Sequence, residues 1–269
     1  MTDKYLLLDK KVGETPLSCA EDWRAEHPEL NGVSMAYAGR LDPMASGKLL
    51  ILLGDECKKQ TDYHGLDKAY KFSVLLGIES DSLDVLGRLK TCPTSDKDAA
   101  KELNGILNSL TGKIELPYPR FSAKTVQGKP LHTWTMENRL DEIEIPTKES
   151  EIYTLEFDRK ETLTKEDLVK SALEKVNSIP PVTELRKALG NDFRRVDVRK
   201  DWNNILKDNS LPENFDIVHL NCIASSGTYM RTLAGIIAKK LGTCGLAWSI
   251  HRDTIGIYDS QNSKWIKEY

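Results

Sequence analysis

The sequence predicts an α+β protein with a helical insertion at about residues 160–212. Strand-like segments recur from the N-terminus to the C-terminus, and single helical segments lie between them. This mixture is typical of a sheet packed against helices rather than of an all-α or all-β protein. The insertion has helix caps and helical spacing but no strand signal, and no linker-like tract interrupts the chain. We therefore expect one domain over residues 1–269.

The strands are predicted from apolar runs and from alternation. In the segment 68–76, Tyr70, Phe72 and Val74 share one face, while Lys71 and Ser73 share the other. That pattern predicts a strand with one solvent-exposed side. The segments predicted as strands are 4–10, 49–53, 68–76, 153–157, 217–223 and 245–250.

Helix boundaries are predicted from caps and from glycine or proline stops. Ser18 and Glu21 form a capping-box pattern, and Pro28 predicts that this first helix ends near His27. Thr164 predicts the cap of a helix in the insertion. The remaining two helices are predicted over 98–110, before Gly112, and over 229–241, before Gly242.

Composition excludes several classes of protein. The 269 residues carry 38 basic and 41 acidic side chains, so net charge gives no sign of a nucleic-acid partner. Apolar runs are far shorter than the roughly 20 residues that span a bilayer, and the N-terminus lacks the pattern of a signal peptide, so we expect a cytoplasmic protein. Five widely spaced cysteines suggest neither a disulfide framework nor a zinc site, and we expect them to be reduced.

The segment richest in chemical information is Tyr37-Ala-Gly-Arg-Leu-Asp-Pro-Met-Ala-Ser-Gly47. It places one acid, Asp42, among glycines and small residues that allow a ligand to approach the backbone closely. The following proline fixes the turn that directs the carboxylate. The alternative is that Asp42 only closes a turn or caps a helix, and local chemistry alone favours that alternative.

Several segments, in order, resemble the TruB family of pseudouridine synthases. Gly39-Arg-Leu-Asp-Pro-Met-Ala-Ser-Gly47 is similar to the signature loop of that family. The other similar segments are Leu7-Leu-Asp-Lys-Lys-Val-Gly13, Lys68-Ala-Tyr-Lys-Phe-Ser-Val-Leu-Leu-Gly77, Ser122-Ala-Lys-Thr-Val-Gln-Gly-Lys-Pro-Leu131, Ser226-Gly-Thr-Tyr-Met-Arg-Thr-Leu233 and Ile250-His-Arg252. Five or six matches in one order are much more specific than any single match.

The resemblance implies a pseudouridine-synthase fold with a mixed, largely antiparallel central sheet flanked by helices. It also implies a reaction on RNA, in which a uridine loses its N-glycosidic bond, the uracil rotates, and the base is reattached through carbon 5. By the resemblance, Asp42 is the catalytic carboxylate, Arg231 pairs with it, and Tyr70 stacks on the uracil. Without the resemblance, Arg231 is an ordinary helix residue and Tyr70 a core aromatic.

The resemblance implies further substrate-binding residues. Tyr37 stands where the family has a histidine, and its ring can still stack on RNA. Lys11 replaces a motif proline, which leaves Lys10 as the match for a residue that orders the loop or contacts phosphate. Lys58 matches a lysine near the RNA backbone, although a solvated lysine is the common alternative. Tyr229 and Ile250 match residues that line the uracil pocket, although core packing would explain them equally well.

By the same resemblance, the expected partner is the TΨC stem-loop of tRNA, bound by a monomer that needs no metal and no cofactor. About a dozen residues follow Ile257, so we expect no C-terminal PUA domain. Two alternatives are the same chemistry on another RNA and a tRNA chaperone with little catalysis; a third is a scaffold whose insertion binds a protein. The insertion also carries basic residues that would contact RNA or form a solvated face: Arg186, Lys187, Arg194, Arg195, Arg199 and Lys200.

Overall fold

The computed structural model describes residues 4–92, 99–181 and 192–269. Asp98, Arg186 and Lys187 lie outside the described residues. The strands are β1 Tyr5–Lys10, β2 Met35–Ala38, β3 Ala45–Leu53, β4 Asp67–Leu76, β5 Ile78–Ser80, β6 Leu89–Thr91, β7 Gly112–Pro117, β8 Thr125–Val126, β9 Lys129–Pro130, β10 Thr147–Thr164, β11 Asn214–Ala224, β12 Gly245–Asp259 and β13 Lys264–Glu268. The α-helices are α1 Pro16–Ala25, α2 Ala99–Ser109, α3 Leu131–Met136, α4 Lys165–Ser178, α5 Arg195–Lys207 and α6 Met230–Lys240.

One nine-stranded sheet organises the fold. Its order is β1-β3-β12-β4-β11-β10-β7, with β2 added beside β3 and β13 beside β12. All of these pairs are antiparallel except β3 with β12, which run parallel. The prediction of an α+β fold with a mixed, largely antiparallel sheet is confirmed.

The largest hydrophobic cluster lies between the sheet and the helices. Helices α2, α4, α5 and α6 all contribute buried apolar residues to it. The helical segment between β10 and β11 therefore packs into the same core as the sheet. It begins at Lys165 rather than near residue 160, because β10 continues as far as Thr164. The cap at Thr164 is as predicted, since its hydroxyl accepts a hydrogen bond from the Asp167 amide at 3.1 Å.

Two local predictions were wrong. Thr15, not Ser18, caps α1, because the Thr15 side chain accepts from the Ser18 amide while the Ser18 hydroxyl accepts from the Thr15 amide. Strand β4 has no continuous exposed side, because the face that carries Lys71 is covered from Ser73 onward. Ser73 is fully buried, and its hydroxyl lies 2.5 Å from that of Ser249, while Lys71 is exposed.

The cysteine prediction was also wrong for one pair. Cys92 and Cys244 form a disulfide, although 152 positions separate them in sequence. Gly77 connects the two segments, because its amide donates to the Cys244 carbonyl at 2.8 Å and its carbonyl accepts from the Cys92 amide at 3.1 Å. Spacing along the chain contains no information about this approach. Cys19, Cys57 and Cys222 are free, in keeping with the prediction.

Candidate active site

The site is built around the loop that joins β2 to β3. Gly39 and Gly47 flank this loop, and both have positive φ, at +85° and +106°. A Cβ at position 47 would collide with the backbone carbonyl of Arg252, so glycine is required where β3 and β12 approach each other. The Arg252 guanidinium donates to the carbonyls of Lys48 at 2.7 Å and Gly39 at 3.3 Å. These contacts fix the loop and thereby the position of Asp42.

Arg231 and Asp42 form a bidentate ion pair. Nε of Arg231 lies 2.7 Å from Oδ2 of Asp42, and Nη2 lies 3.1 Å from Oδ1. The Arg231 side chain is 4% exposed, whereas that of Asp42 is 38% exposed. The arginine is thus a fixed, buried support, and the carboxylate that it orients remains open to a ligand.

Two carbonyl acceptors and a second carboxylate also hold Arg231. Its Nη1 donates to the Ser82 carbonyl at 2.7 Å and its Nη2 to the Phe121 carbonyl at 3.2 Å. Asp84 lies 3.7 Å from Nε and is itself buried. Burial acts to lower the pKa of Arg231, but the carboxylates of Asp42 and Asp84 outweigh it and raise that pKa. Burial raises the pKa of Asp84, against the opposing effect of Arg231.

Asp84 and Ser82 were missed by the sequence analysis. Their signal was an acid within an otherwise apolar run, Leu83-Asp-Val-Leu86, directly after a short strand. Asp84 accepts hydrogen bonds from the Ser82 hydroxyl at 2.6 Å and from the Leu86 amide at 3.0 Å. The loop between β5 and β6 is therefore part of the site.

An open cavity of about 1230 Å³ lies in front of the ion pair. Six of the eight residues predicted for the site line this cavity together, from segments throughout the chain. They are Tyr37, Asp42, Tyr70, Tyr229, Arg231 and Ile250. Their roles toward a substrate remain predictions.

Tyr70 lies on β4 opposite Arg252 on β12 in the strand register. Tyr70 is half-buried, and the Arg252 guanidinium lies close enough to act on the charge of its hydroxyl. Burial raises the pKa of Tyr70, and the nearby guanidinium opposes that rise. The hydroxyl is therefore protonated at neutral pH.

Two other aromatic residues line the cavity. Tyr37 lies on β2, with the Arg40 guanidinium 5.8 Å from its ring centroid. Tyr229 immediately precedes α6 and packs edge-on against Tyr118, with ring centroids 5.6 Å apart. Burial, and then the carboxylate of Asp42, raise the pKa of Tyr229. The cavity thus offers several flat apolar surfaces near the carboxylate.

Lys10 and Lys58 do not line the cavity. Lys10 is 1% exposed, and its ammonium donates to the carbonyls of Lys11 at 2.9 Å and Ala45 at 2.5 Å. This geometry suits a residue that orders the loop and leaves no room for phosphate contact. Lys58 pairs with Asp55 at 2.7 Å, and its side chain is 80% exposed.

The helical segment between β10 and β11 braces the loop that holds Arg231. Arg194 donates two hydrogen bonds to Asp81, at 2.6 and 3.0 Å. Asp201 accepts from Arg88 at 2.6 Å, and the Trp202 indole donates to the Val85 carbonyl at 3.0 Å. The whole loop between β5 and β6 is therefore attached to α5 and to the turn before it.

For two of the basic residues of this segment, the contacts fit neither predicted alternative, RNA contact or a solvated face. The Arg194 guanidinium binds Asp81 and lies 4.5 Å from the Phe121 ring. Arg195 is 5% exposed and donates to Asp192 and to the Ile179 carbonyl. Both guanidinium groups are therefore held by contacts within the protein.

Within the described residues, one group of three side chains offers atoms that lie close enough together for a metal. It consists of Glu79, Cys92 and Cys244, and the two cysteines are joined in the disulfide. Thiols in a disulfide are not thiolate ligands. In the same described part of the chain, no helix is both long enough and apolar enough to cross a membrane.

Comparison with known proteins assigns the chain to a family. A family model described as TruB family pseudouridylate synthase (N terminal domain) matches residues 29–171, which is more than half of the chain. The fold and the site thus define an enzyme of the pseudouridine-synthase class. The chain belongs to the TruB family, as the sequence motifs predicted.

Curated relatives agree with this assignment. The chain is 28% identical over 254 residues to tRNA pseudouridine synthase B of Caldicellulosiruptor saccharolyticus, which covers 94% of this chain and 68% of that protein. It is 27% identical over 252 residues to the protein of the same name from Syntrophus aciditrophicus, and the alignment covers 93% of this chain and 61% of that protein. It is 35% identical over 158 residues to that of Aromatoleum aromaticum, and the alignment covers 58% of this chain and 49% of that protein. The chain therefore spans between about half and two thirds of these relatives.

A solved structure supports the fold. A chain in the crystal structure of a Cbf5-Nop10-Gar1 complex aligns with a TM-score of 0.52 at 15% identity, covering 94% of this chain and 48% of that chain. At this identity the likeness concerns the fold alone.

Proposed function

We propose that this protein is a tRNA pseudouridine synthase that converts a uridine of the TΨC loop to pseudouridine, with Asp42 as the catalytic carboxylate. The observation that carries the proposal is the asymmetric ion pair, in which a buried Arg231 orients an accessible Asp42 at the wall of a cavity. Family membership and the names of the curated relatives supply the reaction and the RNA class.

The reaction breaks the bond between C1′ and N1 of the uridine and forms a bond between C1′ and C5. The proton on C5 is lost, and N1 gains one, so the product is an isomer of the substrate. An ionised carboxylate can serve this sequence in two ways: it attacks C1′, or it removes the proton at C2′. In both cases Arg231 keeps the carboxylate charged and aimed.

The cavity suits an extruded nucleotide. A base inside a folded loop must leave its stack before an enzyme can reach C1′. Tyr70 lies beside Arg252 at the cavity wall and would stack on the uracil, while Tyr37, Tyr229 and Ile250 would flank it. The aromatic surfaces would replace part of the stacking that the base loses, and the Tyr70 hydroxyl would relay the proton that leaves C5.

The proposal includes the setting of the reaction. The protein acts in the cytoplasm, as a monomer, on the TΨC stem-loop, and its own side chains suffice for the isomerisation without a cofactor. The rest of the proposed architecture is one catalytic domain whose helical segment between β10 and β11 supports the site.

Mapping of pseudouridine in an unmodified tRNA transcript tests the proposal. Carbodiimide adducts followed by primer extension should give a stop at one TΨC-loop uridine after incubation with the protein. A transcript with cytidine at that position serves as the control and should give no stop. A stop at another uridine, or only in another RNA, would show that the TΨC-loop uridine is not the target. Tight binding and faster refolding of the tRNA without any stop would favour the chaperone alternative.

A further inference from the structure

We infer that Lys68, Lys148 and Arg252 form a subsite for a backbone phosphate of the RNA, next to the position of the target base. All three side chains line the same cavity as Asp42 and Tyr70. The inference rests on the proposed function, because the phosphate would belong to the target nucleotide of the RNA or to its neighbour.

The three cations are held in place by neutral acceptors. Lys68 donates to the Leu66 carbonyl and, at 3.4 Å, to the Ser226 hydroxyl. Lys148 donates to the Ser226 carbonyl at 2.6 Å. Arg252 donates to the two loop carbonyls already described. Over residues 4–92, 99–181 and 192–269, no carboxylate lies within the 4.0 Å of an ion pair with any of the three.

One acid lies nearby, but other donors occupy it. Asp67 is 8% exposed and raises the pKa of Lys68. Its two oxygens accept hydrogen bonds from the Tyr153 hydroxyl at 3.1 Å and from the Tyr258 amide at 2.9 Å. Three cations therefore face one carboxylate, which leaves this wall of the cavity positively charged.

Burial removes water from Lys68 and Arg252, and neutral acceptors replace that water in the folded protein. Lys68 is 6% exposed and Arg252 is 1% exposed. Burial, and then the charge of Arg252, lower the pKa of Lys68 to about 7, and Lys148 adds to this repulsion. A bound anion would remove the repulsion and supply the missing acceptors.

The shape of the subsite favours a phosphate. Two glycines, Gly39 and Gly227, lie beside the cations, and both have positive φ. A Cβ at Gly39 would stand 3.6 Å from Nη1 of Arg252 and 3.7 Å from Cε of Lys68, while one at Gly227 would collide with Nζ of Lys148. Glycine at these two positions therefore keeps space free on the cavity side of the charged groups. A phosphodiester is ionised at all physiological pH values and accompanies every extruded nucleotide.

The test combines a charge-removing variant with charge-removing substrates. Lys68→Met retains the length of the side chain, and Lys71→Met on the same strand is the matched control, because Lys71 is exposed and pairs with Asp253 at 3.1 Å. The probe is a TΨC stem-loop RNA in which each phosphate flanking the target uridine is replaced, one at a time, by a neutral methylphosphonate. Affinity is measured at several salt concentrations.

We expect Lys68→Met to weaken binding about tenfold and to reduce the salt slope by about 1, whereas Lys71→Met changes neither. One methylphosphonate should weaken binding to the wild type by the same factor and have no further effect on Lys68→Met, because both changes remove the same contact. Lys68→Arg should restore part of the affinity. Thermal unfolding should show that Lys68→Met is at least as stable as the wild type.

Two outcomes would overturn the subsite. The first is an unchanged affinity and salt slope for Lys68→Met. The second is that every methylphosphonate weakens binding to Lys68→Met by the same factor as it weakens binding to the wild type. Binding and turnover are separate readouts. Phosphate-dependent binding without pseudouridine would leave the subsite standing and reject the proposed activity, whereas turnover that is insensitive to Lys68→Met would do the reverse.

Discussion

Arg231 and Asp42 lie 189 positions apart in sequence, and their side chains meet through two hydrogen bonds of 2.7 and 3.1 Å. The arginine comes from the first turn of α6 and the aspartate from the loop between β2 and β3. Because a guanidinium fork matches both carboxylate oxygens, this contact fixes the direction of the carboxylate as well as its charge.

The bidentate geometry makes Arg231→Lys a test of orientation. Lysine retains the positive charge but has no planar fork, so we expect the single-turnover rate of isomerisation to fall roughly 100-fold. RNA affinity should change little, since Arg231 is buried behind Asp42. Arg159→Lys, at an exposed arginine paired with Asp158, is the control. A variant with the wild-type rate would show that charge alone suffices.

Arg194 does not line the cavity, but it holds the loop between β5 and β6, so we expect its substitution to lower the rate of the reaction. Arg194→Ala removes the bidentate contact to Asp81, so the Ser82 carbonyl should hold Arg231 less firmly. We expect a lower rate constant at saturating RNA with an unchanged KM, and Lys200→Ala on α5, where the side chain is exposed, should have no effect.

A double-mutant cycle of Asp81→Ala with Arg194→Ala tests the pair directly. Coupled residues in contact show roughly 0.5–3 kcal/mol of interaction, here expected in the activation free energy. Additive losses in rate would mean that the two residues act independently.

The tyrosine at position 37 predicts a role for ring stacking. Tyr37→Phe retains the ring and should bind RNA as the wild type does. Tyr37→Ala removes it and should weaken binding by about 1–3 kcal/mol, the usual contribution of a base stacked on an aromatic ring. Fluorescence anisotropy with a labelled stem-loop measures both. Equal losses in the two variants would assign the role to the hydroxyl instead.

The lowered pKa of Lys68 predicts a pH-dependent stability difference. The unfolded lysine titrates near 10.5 and the folded one near 7, so the unfolded state binds more protons between these values and stability rises with pH across that window. Lys68→Met lacks this titration. The stability of the variant relative to wild type should therefore be greatest at or below pH 7 and decline toward pH 10.

Urea unfolding of both proteins at several pH values measures the difference. Lys10 and Lys175, whose pKa values burial lowers to about 8, titrate in both proteins and cancel. A difference that is independent of pH would show that the folded protein does not depress the pKa of Lys68.

The sequence predicted the parts of this site that motifs mark. Asp42, Tyr70 and Arg231 stand in segments that resemble the family, and the strand that carries Tyr70 was evident from its alternating pattern. The predicted capping of α1 failed because two adjacent turns offered equivalent hydroxyl residues, and only the backbone geometry selects Thr15.

What the sequence could not predict depends on long-range packing. Arg194 and Asp81 are 113 positions apart, and Cys92 and Cys244 are 152 positions apart. Alternation placed Lys68 on a strand but did not indicate that its side chain is buried at a cavity wall. Such contacts depend on strand order, which local patterns do not specify.

The most direct test of the account compares wild type with Asp42→Asn on one unmodified tRNA transcript, measuring the single-turnover rate of pseudouridine formation and the Kd in parallel. Asparagine retains the shape of the side chain and removes the charge. The account predicts that formation becomes undetectable while the Kd stays close to the wild-type value. A variant that forms pseudouridine at a rate near that of the wild type would contradict the assignment of Asp42 as the catalytic carboxylate.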